Sequence, residues 1–182
     1  SHNIAVLLGN GDGYFGSAAY YSTASGTSPR SITSADFDGD GNIDLLTANN
    51  STGDVAVLLG NGDGTFISPS FYLSGYHPNF VLSSDFDGDS NMDVAVSNGG
   101  ENAIAILMGN GDGSFAAPVS YSADSIPRSI TTGDFDSDGA IDLATANYGS
   151  ANLSVLMGNG DGTFDAAVNY NADDQPRSIT GC

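Results

Sequence analysis

Self-similarity at a fixed period limits this chain more than any other feature. Asp36, Asp85 and Asp134 stand 49 residues apart and open three near-copies of one unit. A second marker, Gly-Asn-Gly-Asp-Gly, begins at Gly9, Gly60, Gly109 and Gly158, at intervals of 51, 49 and 49. The first interval is lengthened by two residues in the linker around Ser22 to Pro29. A period of this length marks stacked supersecondary units that cannot bury their apolar faces alone. Each unit has the same internal order. A Pro-Arg-Ser-Ile-Thr strand leads into an acidic loop. A second strand follows, as at Ile43–Asn49 or Ile141–Asn147. The third is Val55–Leu59, Ile104–Met108 or Leu153–Met157, and the Gly-Asn-Gly-Asp-Gly turn leads into a fourth ending in Tyr or Phe. These runs are short, rich in Ile, Val, Leu and Thr, and bounded by turn residues, with no helical period of useful length. Asn-Gly and Asp-Gly between apolar runs favour hairpins, because both turn residues tolerate positive φ. The predicted class is all-β, built as propeller blades of four antiparallel strands. Small residues at one repeat position (Ala5, Ala56, Ala105, Ser154) fit close approach of neighbouring sheets.

The acidic loops carry the chemistry. They read Asp36-Phe-Asp38-Gly-Asp40-Gly-Asn42-Ile-Asp44, Asp85-Phe-Asp87-Gly-Asp89-Ser-Asn91-Met-Asp93 and Asp134-Phe-Asp136-Ser-Asp138-Gly-Ala140-Ile-Asp142. Carboxylates at positions 1, 3, 5 and 9 repel one another unless a cation lies among them. Calcium suits the set, since it takes six to eight oxygens in flexible geometry. The backbone carbonyl of position 7 (Asn42, Asn91, Ala140) would add another oxygen. Solvated acidic turns without metal would need only one or two Asp each. Magnesium fits less well because it keeps several waters. An EF-hand ends on Glu at position 12 between helices, which these loops lack. Glycine at position 6 permits the sharp turn, so Ser90, standing where the other loops have Gly41 and Gly139, predicts a slightly strained second loop.

These units resemble FG-GAP repeats, also called VCBS repeats, of the integrin α-subunit type of β-propeller. The resemblance rests on Asp36-Phe-Asp38-Gly-Asp40-Gly-x-x-Asp44 and its two copies, joined to Leu-Leu-Gly-Asn-Gly-Asp-Gly-x-Phe at Leu7–Phe15 and its copies. It covers essentially the whole chain. It implies that each acidic loop joins the first and second strands of a blade and holds one calcium ion, giving three calcium sites. Thrombospondin-type calcium repeats share the acidic motif, but not the 49-residue period or the strand pattern.

The units are expected to divide the chain, as a single repeat domain over 1–182, into the third and fourth strands of a split blade (3–29), blades at 30–78, 79–127 and 128–176, and the first strand of a further blade (177–182). That makes fifteen strands, the last at Arg177–Thr180 without a partner in its own blade. A fragment of a longer propeller, two chains closing one ring, and one chain closing a four-blade ring all fit this phase. Chain-to-chain assembly is the favoured expectation, because an open array leaves apolar blade face in water.

Composition narrows the partners. The chain has 22 acidic residues against three Arg and no Lys, for a net charge of −19. Three calcium ions would bring this to about −13, counting +2 each. Nucleic acid and anionic membranes are therefore unsuitable partners. No stretch is apolar enough for membrane insertion, and no signal peptide is recognisable. Cys182 is the single cysteine, so no internal disulfide forms; a free thiol is the expectation and an intermolecular bridge the alternative.

Other recurring residues read first as structure. Arg30, Arg128 and Arg177 share one repeat position, with Asn79 replacing Arg in the remaining unit. A ring of Arg could clamp an acidic sugar or a carboxylate, but pairing with loop or turn carboxylates is the expected role. Asp12, Asp63, Asp112 and Asp161 are expected to shape hairpin turns rather than to bind extra cations. Phe15, Phe66, Phe115 and Phe164, the loop residues Phe37, Phe86 and Phe135, and Tyr21, Tyr72, Tyr121 and Tyr170 are expected to pack between blades. Tyr76-His77-Pro78-Asn79-Phe80 and the lone Glu101 break the repeat and are the places to look for a special role. Neither His77 nor Glu101 has a nucleophile or second carboxylate paired with it in sequence, so no enzyme activity is expected. The favoured function is a calcium-binding module for protein or glycan adhesion, extracellular or at a cell surface. A structural assembly unit is the alternative, with self-association completing a propeller ring. A polysaccharide hydrolase or lyase is disfavoured, because a catalytic carboxylate pair is expected once, at a break in the repeat, and not in repeated sets of four.

Overall fold

The computed structural model describes residues 2–24, 26–172 and 174–181, and these form only strands, bridges and turns. The strands are β1 (Asn3–Val6), β2 (Ala19–Ser22), β3 (Pro29–Ala35), β4 (Asp44–Asn49), β5 (Asp54–Leu58), β6 (Ser70–Leu73), β7 (Pro78–Ser84), β8 (Asp93–Asn98), β9 (Ala103–Leu107), β10 (Val119–Ser122), β11 (Pro127–Gly133), β12 (Asp142–Asn147), β13 (Asn152–Leu156) and β14 (Val168–Asn171). Three sheets are four-stranded antiparallel meanders, β3–β6, β7–β10 and β11–β14, and β1 pairs with β2. The register repeats: Asp44 faces Ala35, Asp93 faces Ser84 and Asp142 faces Gly133. The third strands start and end one residue earlier than predicted, because Asp54, Ala103 and Asn152 pair with Asn49, Asn98 and Asn147 to close the hairpins.

First strands are innermost. The innermost strand β3 packs beside β7, and β7 beside β11. Fourth strands are the outermost and mostly exposed. Each four-stranded sheet is therefore a blade, and the core lies between blades. Leu46, Ala48, Val55 and Val57 of one blade meet Val94, Val96, Ala105 and Leu107 of the next. Ala95, Ile104 and Ile106, on the other face of that second blade, meet Ile130, Leu143 and Leu156. Alternation along a strand sends successive side chains to opposite sides. A blade with a neighbour on both sides is therefore apolar on both faces, which is why β8 and β9 are buried throughout.

A repeated aromatic trio reinforces each contact. Phe115 meets Phe37 and Tyr72 edge-on, with ring centroids 5.7 and 5.4 Å away. Phe164 meets Phe86 and Tyr121 in the same way at 5.6 and 5.5 Å. The periodic Phe and Tyr residues thus pack between blades, as their recurrence predicts. At the outer surfaces the same residues lack a neighbour: Phe15 is 66% exposed and Phe135 41%, against 2% for Phe37.

The expected fifteenth strand does not form. Residues 177–180 carry no ladder pairing; instead Ile179 N–H donates to Ser129 Oγ at 3.4 Å and Gly181 N–H to Thr131 Oγ1 at 2.8 Å. Val81 N–H meets Ser31 Oγ in the same way at 3.3 Å, so this is how one first strand meets the next. A first strand draws its ladder from a second strand, and none lies beside this segment. Cys182 lies outside the described residues.

Candidate metal centres

In every blade the acidic loop leaves the first strand and returns on the second, so one end of each blade carries the carboxylates. Asp36, Asp38 and Asp40 bring one oxygen each to within 4.8 Å of one another. Asp85, Asp87 and Asp93 do the same, as do Asp134, Asp136 and Asp142. Each group could hold a metal ion. Asp44, Asp89 and Asp138 complete the predicted carboxylate sets outside these tightest triads.

The backbone bends so that carboxylates receive amide hydrogens within the loop. Asp36 accepts from Gly39 N–H at 2.8 Å and Gly41 N–H at 2.9 Å. Asp85 accepts from Gly88 and Ser90 at 2.8 and 3.0 Å, and Asp134 from Asp138 and Gly139, both at 3.1 Å. Position 6 is left-handed in all three loops, with φ of +86° at Gly41, +74° at Ser90 and +93° at Gly139. The strain expected at Ser90 is thus located: a residue bearing a Cβ occupies a conformation that favours glycine. Position 4 behaves alike, so Ser137, at φ +67°, is a second such site.

Position 9 differs from the other three. Asp44, Asp93 and Asp142 are at most 1% exposed. One oxygen of each accepts the N–H of the loop Phe (Phe37, Phe86 or Phe135), at 2.7–2.8 Å. The other accepts the N–H of Gly60, Gly109 or Gly158, which opens the Gly-Asn-Gly-Asp-Gly turn, also at 2.7–2.8 Å. These Asp are staples between loop and turn as well as candidate ligands. Sequence reading treats the four carboxylates as equals and misses this. The usable signal is that turn and loop recur in strict step.

Electrostatics follow the geometry. Burial raises the Asp93 carboxyl to about 6, against two amide bonds that pull it down and the charges of Asp87 and Asp89, which add to the rise. Burial also raises Asp38, joined by the neighbouring carboxylates. The backbone and side-chain amides of Asn42 hold Asp40 low. Asn42 and Asn91 turn their side-chain amides onto Asp40 and Asp89 at 2.8 Å.

The Gly-Asn-Gly-Asp-Gly segments act as turns that also join blades. Asp63, Asp112 and Asp161 each cap the turn through Thr65, Ser114 or Thr163, and these hydroxyl bonds hold the three carboxyls low. Gly113 N–H donates to Phe37 O at 2.9 Å and Gly162 N–H to Phe86 O at 3.2 Å. The turn of one blade thus grips the acidic loop of the blade before it.

The arginines depart from the expected carboxylate pairing. Arg30 Nη1 donates to Asn79 Oδ1 at 2.9 Å. The Arg128 and Arg177 guanidiniums lie over the Tyr148 ring, 4.1 and 5.2 Å from its centre. Arg30 and Arg128 start inner strands and Arg177 shares Tyr148 with Arg128, all at the end opposite the acidic loops, so amide and aromatic partners are what they meet. His77 and Glu101, the repeat-breaking residues, line one cleft at that same end.

Comparison with known proteins supports the architecture. The FG-GAP-like repeat family matches residues 1–47, 36–81 and 85–145. Among curated proteins no sequence matches the chain. Several solved structures are similar to it. One is an Agrocybe aegerita lectin, described as recognising non-reducing terminal N-acetylglucosamine (20% identity, TM-score 0.63, 94% of this chain and 47% of that one). Another is a Bacteroides fragilis protein provisionally assigned as a 6-phosphogluconolactonase (16% identity, TM-score 0.68, 87% and 43%). A third is a functionally unknown protein from Desulfotomaculum acetoxidans (16% identity, TM-score 0.53, 86% and 52%). At these identities the likeness concerns the fold alone. The chain spans about half the length of these structures.

Proposed function

The chain belongs to the FG-GAP-like repeat family, and from that footing we propose that it is a calcium-stabilised β-propeller module that binds protein or glycan ligands outside the cell or at its surface. One observation carries the reading: three carboxylate triads recur at one repeat position, each with its oxygens within 4.8 Å of one another. Oxygen-only donor sets on bent loops favour a hard, flexible cation, and calcium meets that description better than magnesium. Positions 1, 3, 5 and 9 with the position-7 carbonyl would hold the ion, which supplies charge neutralisation at the loop. Many loop carboxylates are exposed, which suits weak sites of about 10⁻⁴–10⁻³ M as in extracellular calcium modules. The role is non-catalytic, since the carboxylates recur in structural sets. The similarity to a lectin supports a glycan ligand as one of the two choices. Thermal unfolding with and without a chelator tests the cation. Calcium at 100 times its Kd adds about 2.7 kcal/mol per site to stability, so a clear rise in Tm is expected. An unchanged Tm would remove the calcium part of the proposal.

A second reading, assembly with other copies, is favoured by the exposed aromatics. Phe15 belongs to the position that elsewhere packs on a loop Phe of the preceding blade, and Phe135 to the position that elsewhere receives it. One copy's Phe15 surface therefore suits another copy's Phe135 surface. Light scattering in millimolar calcium is expected to give a multiple of the 18.4 kDa chain, lowered by Phe15→Asp. A monomer mass at high concentration would contradict this reading.

A further inference from the structure

We propose that the cleft at the end opposite the acidic loops binds an acidic sugar, a ring bearing a carboxylate, with Arg30 and Arg128 on the carboxylate and Tyr76 and Glu101 on the ring. This deepens the binding-module reading and rests on it. The proposal starts from charge. The chain carries only three Arg and two His against 22 acidic residues. Arg30, Arg128 and His77 nevertheless line a single cleft of 280 Å³ with Asn50 and Asn79. Six residues of strand separate Arg30 from Asp36, about 20 Å at 3.3 Å per residue. At physiological ionic strength charges are screened over about 8 Å, so the acidic loops act only weakly on these arginines.

The donors are held ready. Asn79 stands where the repeat has Arg; its Oδ1 takes one Arg30 nitrogen at 2.9 Å and its Nδ2 donates to Pro127 O at 2.9 Å. Arg30 is thus fixed at one corner of its fork. Arg128 Nε is buried and has no hydrogen-bond partner among the described residues, while its guanidinium stacks on Tyr148. A planar carboxylate suits the outer guanidinium nitrogens of Arg30 and Arg128; the buried Arg128 Nε is out of its reach.

The second half of the site adjoins the first through His77 and Asn50, which line both clefts. This neighbour, of 410 Å³, lies between the 50–53 and 99–102 turns and is walled by Leu73, Tyr76 and Glu101. Tyr76 is 70% exposed and packs edge-on against His77, with ring centroids 6.2 Å apart, so its ring is open to a ligand at the cleft wall. Gly75 lets Asn98 and Glu101 approach the backbone closely: a Cβ there would collide with Asn98 Nδ2 and come within 2.7 Å of Glu101 Oε2. At the equivalent place between the next two blades stands Asp124, tied to Asn152 Nδ2 at 2.7 Å. The left-handed backbone at His77 (φ +54°) also recurs, at Ser28 (+49°) and Ile126 (+55°). What distinguishes this one cleft is its side chains. An exposed aromatic ring for the sugar face, a carboxylate that accepts hydroxyl hydrogens and arginines for the acid group together describe an acidic sugar.

The test titrates glucuronic acid and its methyl ester into the calcium-loaded chain by calorimetry, with melting curves on the same samples. Binding of the acid and at least a 10-fold weaker affinity for the ester are expected. Arg30→Gln and Arg128→Gln should each weaken the acid by about 10-fold, and Tyr76→Ala should weaken acid and ester together, all without lowering Tm in parallel. Arg177→Gln, outside the cleft, should leave binding unchanged. Equal binding of acid and ester, binding of acetate as tight as of the sugar acid, or tighter binding of an aspartate-terminated peptide would each overturn the proposal. So would no binding by protein that still shows its calcium-dependent Tm rise, whereas loss of that rise would count against the calcium reading alone.

Discussion

The four carboxylates of each loop do different work, and single substitutions separate their roles. Asp87 is a candidate ligand that, among the described residues, accepts only Asp89 N–H, at 3.0 Å. Asp87→Asn is expected to remove one calcium per chain while leaving the metal-free Tm within about 2 °C, as surface changes of less than 0.5 kcal/mol do. Asp93 is buried and accepts two backbone amides. Asp93→Asn leaves one of those amides facing a donor, so it should cost about 1–3 kcal/mol even without metal, read by urea unfolding in chelator. The same residue sets a pH dependence. Its carboxyl sits at about 6 when folded against 3.8 unfolded. The folded state therefore binds the extra proton, and Asp93 contributes stability that is present below about pH 4 and is lost as pH rises through 6. Metal requires the ionised form, so the calcium-induced rise in Tm should shrink between pH 7 and pH 5. A rise that stayed constant over that range would contradict the ligand role of Asp93. At Ser90 the left-handed φ of +74° predicts that Ser90→Gly stabilises the protein by about 0.5–1 kcal/mol.

Blades and their contacts explain why the repeat was legible. Hydrophobic runs, turn residues and a strict period place the second and third strands of the complete blades to within one residue, since a blade's register follows from the pleat, whereas the first strands run two residues past the Pro-Arg-Ser-Ile-Thr segment, to Ala35 and Gly133. The aromatic recurrence also translates directly: Phe115 and Phe164 are buried between blades, whereas Phe15 is exposed. Phe115→Ala should therefore cost about 3–5 kcal/mol and Phe15→Ala little in a dilute, monomeric sample, a contrast measurable by chemical denaturation. What the sequence hides is coupling across long distances. Nothing local reveals that Gly113 grips Phe37 O, or that a Cβ there would press within 2.9 Å of Leu59. The arginine partners were equally hidden. Arg30 meets an amide 49 residues away because Asn79 replaces the repeat's Arg, and a substitution inside a period says where a residue sits but not which way its neighbour turns. The unformed strand at 177–180 has the same origin: strand-like residues need a second strand beside them to make a ladder.

At the scale of the whole molecule, charge and architecture meet. Twelve loop carboxylates lie at one end of the blades, and the chain's net charge is −19. Cations at the loops would lower that repulsion where it is densest. Because the turns at Gly113 and Gly162 bond the acidic loops of the preceding blades, filling those loops also firms the contact between blades, so calcium should raise the cooperativity of unfolding as well as its midpoint. No helix among the described residues is long and apolar enough to cross a membrane. The most direct measurement is calorimetric titration of calcium into chelator-stripped protein. Three ions per chain are predicted, falling to two in Asp87→Asn, with magnesium binding much more weakly. No heat of binding, or magnesium binding as tightly as calcium, would contradict the account.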